Sequence, residues 1–90
     1  MAELPILIQR GDYRTQFASF LDRLASGTAH EMEWSSFVDT HYPDEFLEEM
    51  RRCTVRLSIG GLGHRLDSPE GRQMLRAWAI AIRSAVRDLE

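Results

Sequence analysis

The chain has no lysine and no asparagine, a single cysteine and three prolines in 90 residues. One cysteine excludes an internal disulfide framework. It fits a reducing compartment better than a small secreted scaffold. No apolar run approaches the roughly 20 residues of a membrane-spanning helix. Near the N-terminus the run Leu4 to Ile8 is too short for a signal-peptide core and has no basic flank. The expectation is a cytoplasmic protein without membrane contact. Lysine and asparagine have AT-rich codons, so their absence points to a GC-rich coding genome of bacterial type. All eleven basic residues are therefore Arg. There is no internal repeat, no low-complexity tract and no alternating strand pattern after residue 10.

What is present suits a folded helical chain. Hydrophobic residues make up 43% and charged residues 28%. That balance separates the chain from disordered sequences. Ninety residues predict one domain, burying about 60–65% of the surface that the unfolded chain exposes. The spacing of apolar residues predicts an all-α fold of four helices, over about 12–26, 28–42, 43–59 and 68–89, after an extended N-terminal arm of residues 1–11.

Local signals mark the ends. Asp12 suits a cap for the first helix, whose apolar face is Tyr13, Phe17, Phe20, Leu21 and Leu24, and Gly27 suits its left-handed end. Thr28 and Glu31 have capping-box spacing at the start of the second helix. Trp34, Phe37, Val38 and His41 share its face, and Pro43 stops it. The third helix carries a stripe of Phe46, Leu47, Met50, Cys53 and Leu57, and an i,i+4 pair of Glu48 with Arg52. Gly60, Gly61 and Gly63 break it. The fourth has Asp67 or Ser68 as cap, Pro69 in its first turn, and a core stripe through Leu75, Trp78, Ile82, Ala85 and Leu89.

The net charge of −3 hides an uneven layout. Residues 28–50 hold seven acids and no Arg, whereas residues 51–87 hold eight Arg against Asp67 and Glu70. One account is internal. Acids at the start and Arg at the end of the third helix suit its dipole, and antiparallel packing of helices three and four would bring Arg83 and Arg87 to Asp44, Glu45 and Glu48. The other is an acidic surface offered to a basic partner. Arg72, Arg76, Arg83 and Arg87 form a basic stripe on the last helix that could grip phosphates. Ile80 lies opposite the core stripe, as does Val55 on helix three. With the Leu4–Ile8 arm they outline a contact surface, equally compatible with a monomer and a homodimer.

Motifs for chemistry are incomplete. His30, Glu31 and Glu33 begin like a zinc helix, but Trp34 stands where the second His must be. Cys53 lies on an apolar stripe rather than in the electropositive setting that activates a thiol. Ser35, Ser36, Asp39 and His41 supply triad letters on one helix, without the strand and elbow that expose a nucleophile. Gly61, Gly63, His64 and Arg65 open like a dinucleotide loop but follow a helix and end in Leu66. His64 and Arg65 are still placed to assist an anion at the next helix N-terminus. No cofactor or metal is expected.

In size, helical make-up and charge the chain is similar to small bacterial docking proteins such as immunity proteins, antitoxins and adaptors. That likeness implies a non-enzymatic protein-interaction domain. Its acidic surface on helices two and three would comprise Glu33, Asp39, Asp44, Glu45, Glu48 and Glu49. The alternative is nucleic-acid binding through the Arg stripe. An enzyme with its site near the 60–68 loop is a third reading, with no motif behind it.

Overall fold

The computed structural model describes the backbone of residues 10–89 and the side chains of residues 13–86. The described residues form four helices and no strand. These are α1 (Arg10–Ser26), α2 (Glu31–Val38), α3 (Glu45–Ser58) and α4 (Pro69–Leu89). Residues 1–9 of the expected arm lie outside the described residues. Arg10 and Gly11, also assigned to that arm, are already helical. Asp12 therefore sits inside the first turn of α1 rather than capping it.

Both glycine stops behave as their local chemistry requires. Gly27 has φ +76°. Its N–H donates to the Leu24 carbonyl and that of Thr28 to the Arg23 carbonyl. These bonds close α1 with two otherwise unpaired acceptors satisfied. Gly60, at φ +77°, repeats the pattern on α3: its N–H reaches Leu57, and that of Gly61 reaches Arg56. Ser68 is the cap of α4, accepting from Gly71 N at 2.9 Å.

The start of α2 lies later than the Thr28–Glu31 spacing implies. His30 is its N-cap residue, and the Glu33 carboxylate accepts from His30 N at 3.1 Å. Thr28 is occupied instead by the end of α1. Helix α2 also ends early, at Val38 rather than near residue 42. Pro43 disfavours helical backbone at Tyr42. The last carbonyls of a helix need partners from outside it. Here Tyr42 Oη donates to Phe37 O at 2.8 Å, and Arg51 Nη1 donates to Val38 O at 2.9 Å.

Helices α1 and α4 are each other's main packing partner, with α2 and α3 against this pair through fewer contacts. The core joins Phe17, Ala18, Phe20, Leu21 and Ala25 of α1 to Leu75, Ala79 and Ile82 of α4, with Val38, Leu47 and Leu57 closing it. Burying each large side chain contributes roughly 1.5–3 kcal/mol relative to exposure. Phe20 stacks on Phe37 with ring centres 4.7 Å apart. This offset aromatic contact docks the short α2 on α1. Several stripes are rotated from expectation. Tyr13 is partly exposed, Thr54 is fully buried with its hydroxyl on Met50 O, Trp78 is half-buried and Ala79 is in the core. Val55 is half-buried against the core and not on an outer face. Ile80 is 65% exposed, as its position opposite the core stripe implied.

Candidate functional site

Around the turn between α2 and α3 the structure sorts the acidic residues into two groups. Glu48 is buried and heavily bonded. It accepts from Arg51 at 2.9 and 2.6 Å and from Tyr42 N at 3.0 Å, and it meets His41 Nδ1 at 3.1 Å. The Arg51 guanidinium, helped by the Tyr42 N–H and the His41 ring, holds the Glu48 carboxyl far below the usual carboxylate range, against the opposing effect of burial. The expected partner Arg52 is more distant, at 3.7 Å.

Asp44 is likewise engaged. Arg14 grips it with Nε at 2.6 Å and Nη2 at 2.9 Å. Asp44 also caps α3, accepting from Phe46 N and Leu47 N. The Arg14 bond lowers its pKa first of all. Glu33 accepts from Arg23 Nε at 2.8 Å, and this bond together with His30 N lowers its pKa. Arg83 pairs with Asp22 of α1 at 2.7 Å, so the expected approach of Arg83 to Asp44, Glu45 and Glu48 does not occur. The reason is the packing: α4 rests mainly on α1, not on α3.

Asp39, Glu45 and Glu49 form the second group, and all three are exposed. Asp39 and Glu45 make no ion pair among the described residues, and Glu49 has only Arg52 at 3.6 Å. Glu45, Glu48 and Glu49 line a hollow of ≈ 340 Å³ with Tyr42 and Arg52.

Tyr42 is shared with a second, more apolar groove of ≈ 360 Å³ between α1 and the α2–α3 turn. Half-buried Phe37 and Tyr42 form its deeper part, and Tyr13, Ser36 and Thr40 stand exposed around it. Tyr42 is rigidly set. Its hydroxyl is held by Phe37 O, its N–H by Glu48, and its ring meets Phe17 edge-on at 5.9 Å. Burial pushes its phenol up to about 12.

The remaining candidate positions do not converge. His64 and Arg65 are exposed, and Arg65 lies 3.8 Å from Asp67. At the neighbouring helix start, Ser68 already occupies the Gly71 N–H. Arg72 and Arg76 are exposed and make no ion pair among the described residues. The side chain of Arg87 lies outside the described residues. Ser36 and His41 line the apolar groove, but no hydrogen bond joins them. Cys53 is half-buried rather than in the core, and burial, with Glu49 nearby, pushes its thiol up. No helix among the described residues is long and apolar enough to cross a membrane.

Sequence reasoning missed Arg14, Tyr42 and Arg51, which build this corner. Arg14 had a readable signal: it falls on the spacing of Phe17, Ala18, Leu21 and Ala25 and so had to point inward. Arg51 stands three residues after Glu48, a pairing distance equal in merit to the four that favoured Arg52. Comparison with protein-family models, curated proteins and solved structures gives no match. The functional reading therefore rests on the geometry of this chain.

Proposed function

We propose that this chain is a non-enzymatic protein-interaction domain that presents a small acidic face to a basic protein partner. The observation that carries the reading is the sorting of the acids. Glu33, Asp44 and Glu48 are occupied by Arg23, Arg14 and Arg51, while Glu45 and Glu49 remain exposed in one hollow, with Asp39 exposed at the end of α2. Asp39 and Glu45 have no ion-pair partner among the described residues and Glu49 has only the exposed Arg52 at 3.6 Å, so their charges keep a field that reaches about 8–10 Å into solvent at physiological salt. Such a face steers a basic partner and disfavours acidic ones. It also narrows the six-residue acidic surface expected from the sequence to Asp39, Glu45 and Glu49.

The absence of lysine gives a direct test. A carbodiimide joins carboxylates to lysine amines without a spacer. This chain has no lysine side chain to capture its own activated carboxylates, so a carboxylate–lysine cross-link reports a different protein. Cross-linking in cells that express the chain, followed by mass spectrometry, should place these links on Glu45 and Glu49. In a lysate of the same cells, high salt present during the reaction should prevent them from forming. Links spread evenly over Glu31, Asp67 and Glu70 as well, or links unaffected by salt, would defeat the proposal.

A further inference from the structure

The groove beside the acidic hollow has the shape and chemistry of an anchor pocket. Its volume is ≈ 360 Å³. That is the small end of the range for binding pockets, which begins at about 300 Å³. It is open at the surface, which suits a side chain entering from a neighbouring protein. Its deeper part is aromatic: Phe37 is backed by Phe20 at 4.7 Å, and Tyr42 meets Tyr13 edge-on with ring centres 6.4 Å apart. Ring edges and faces at this spacing favour a further aromatic guest in an offset or edge-on arrangement. Ser36 and Thr40 stand exposed beside the rings. Their hydroxyls can serve the backbone of the segment that carries the guest.

We infer that the groove receives one aromatic side chain of a basic partner segment, while an Arg or Lys close to it in that segment lies over Glu45 and Glu49. This rests on the basic-partner reading above and adds the identity of the anchor. Tyr42 lines both hollows, so the two contacts are adjacent. Charge decides between occupants: no Arg lines the groove, and the hollow sharing its Tyr42 wall exposes Glu45 and Glu49 against Arg52, its third acid, Glu48, being held by Arg51. The wall is pre-organised, because the Tyr42 ring is held through its hydroxyl, its N–H and its edge contact with Phe17. Little ordering remains to be done on binding, which preserves affinity in a small interface. Residues that fill such pockets dominate binding, and Trp and Tyr are the most frequent among them, with Arg.

The test is selection of random short peptides displayed on phage against the full chain at low salt. The expected winners pair Trp, Tyr or Phe with Arg or Lys within a few positions. Replacing the peptide's aromatic residue by Ala should weaken binding roughly tenfold or more. Tyr13→Ala should weaken it similarly. Thr40→Arg, an exposed substitution that leaves the core untouched, should obstruct the groove. The amide resonances of Ser36 and Thr40 should move on titration. Basic winners without an aromatic residue, moving Glu45 and Glu49 but not Ser36 or Thr40, would overturn the anchor and leave the basic-partner reading standing. Acidic or uncharged winners would overturn both. Failure to select any binder would overturn the anchor, with the carbodiimide experiment deciding the acidic face independently.

Discussion

Arg14 and Asp44, thirty residues apart, form a two-pronged ion pair in which each side chain is only 10% exposed. The same guanidinium donates to the Ala85 carbonyl at 3.3 Å and lies 4.7 Å over the Phe46 ring. One side chain on α1 thus ties down the start of α3 and touches α4. The acidic hollow stands on this joint, because α3 carries Glu45, Glu48 and Glu49.

Arg14→Met keeps most of the apolar stem and removes the charge. It strands the Asp44 carboxylate and should cost about 3 kcal/mol. For a chain of this size that corresponds to a fall of roughly 12–24 °C in Tm. Asp44→Ala should cost more, since it removes the cap of α3 together with the ion pair. Thermal unfolding followed by circular dichroism ranks the two; equal losses would contradict separate capping and pairing roles.

Acid should destabilise the fold in a defined window. Glu33, Asp44 and Glu48 all have carboxyls lowered by Arg partners. Their stabilisation is full above the unfolded-chain values of about 4. It declines as the pH falls through that range toward the lowered native values. Glu48→Gln should reduce stability near neutral pH by roughly 1.5–3 kcal/mol and flatten the acid limb of the profile. Denaturant titrations from neutral to acidic pH measure both effects; an unchanged acid limb would remove Glu48 from the account.

The alkaline limb has the opposite sign. The Tyr42 phenol is pushed up to about 12 by burial. Its contribution is complete below about 10, the unfolded value, and is lost as the pH rises toward the native value. Ultraviolet absorbance should show a late phenol ionisation belonging to Tyr42. Tyr42→Phe should abolish that late phase. Loss in Tyr42→Phe of a phase at about pH 10, the value of a free phenol, would contradict the buried setting.

Gly71 should not tolerate alanine. In most helices that exchange gains about 1 kcal/mol. Here an added Cβ would run into the Arg65 carbonyl oxygen, which belongs to backbone that cannot easily give way. Gly71→Ala should instead cost about 1–3 kcal/mol. A gain in Tm would show that the 60–68 loop does not pack tightly on α4.

Cys53 should alkylate more slowly than a free thiol at neutral pH, because burial and Glu49 raise its pKa. The rate should climb at alkaline pH as the thiolate forms. Rapid reaction with iodoacetamide at neutral pH would identify an activated cysteine and reopen an enzymatic reading.

Local sequence signals set where α1 and α3 end and where α4 begins. Gly27 and Gly60 close α1 and α3 at positive φ, and Ser68 with Pro69 opens α4, because such signals act through neighbouring backbone groups. The all-helical class was legible for the same reason: apolar spacing reports local periodicity. The length of α2 was not legible, because its final carbonyls are taken by Tyr42 and by Arg51, thirteen residues beyond Val38. Nor was the fate of the charges. Glu45 and Glu48 differ by less than one helical turn and look alike in sequence, yet one faces water and the other is enclosed by Arg51, Tyr42 and His41. Electrostatic partners are chosen by distance in space, so the surface available to another protein became readable only once the helices were packed.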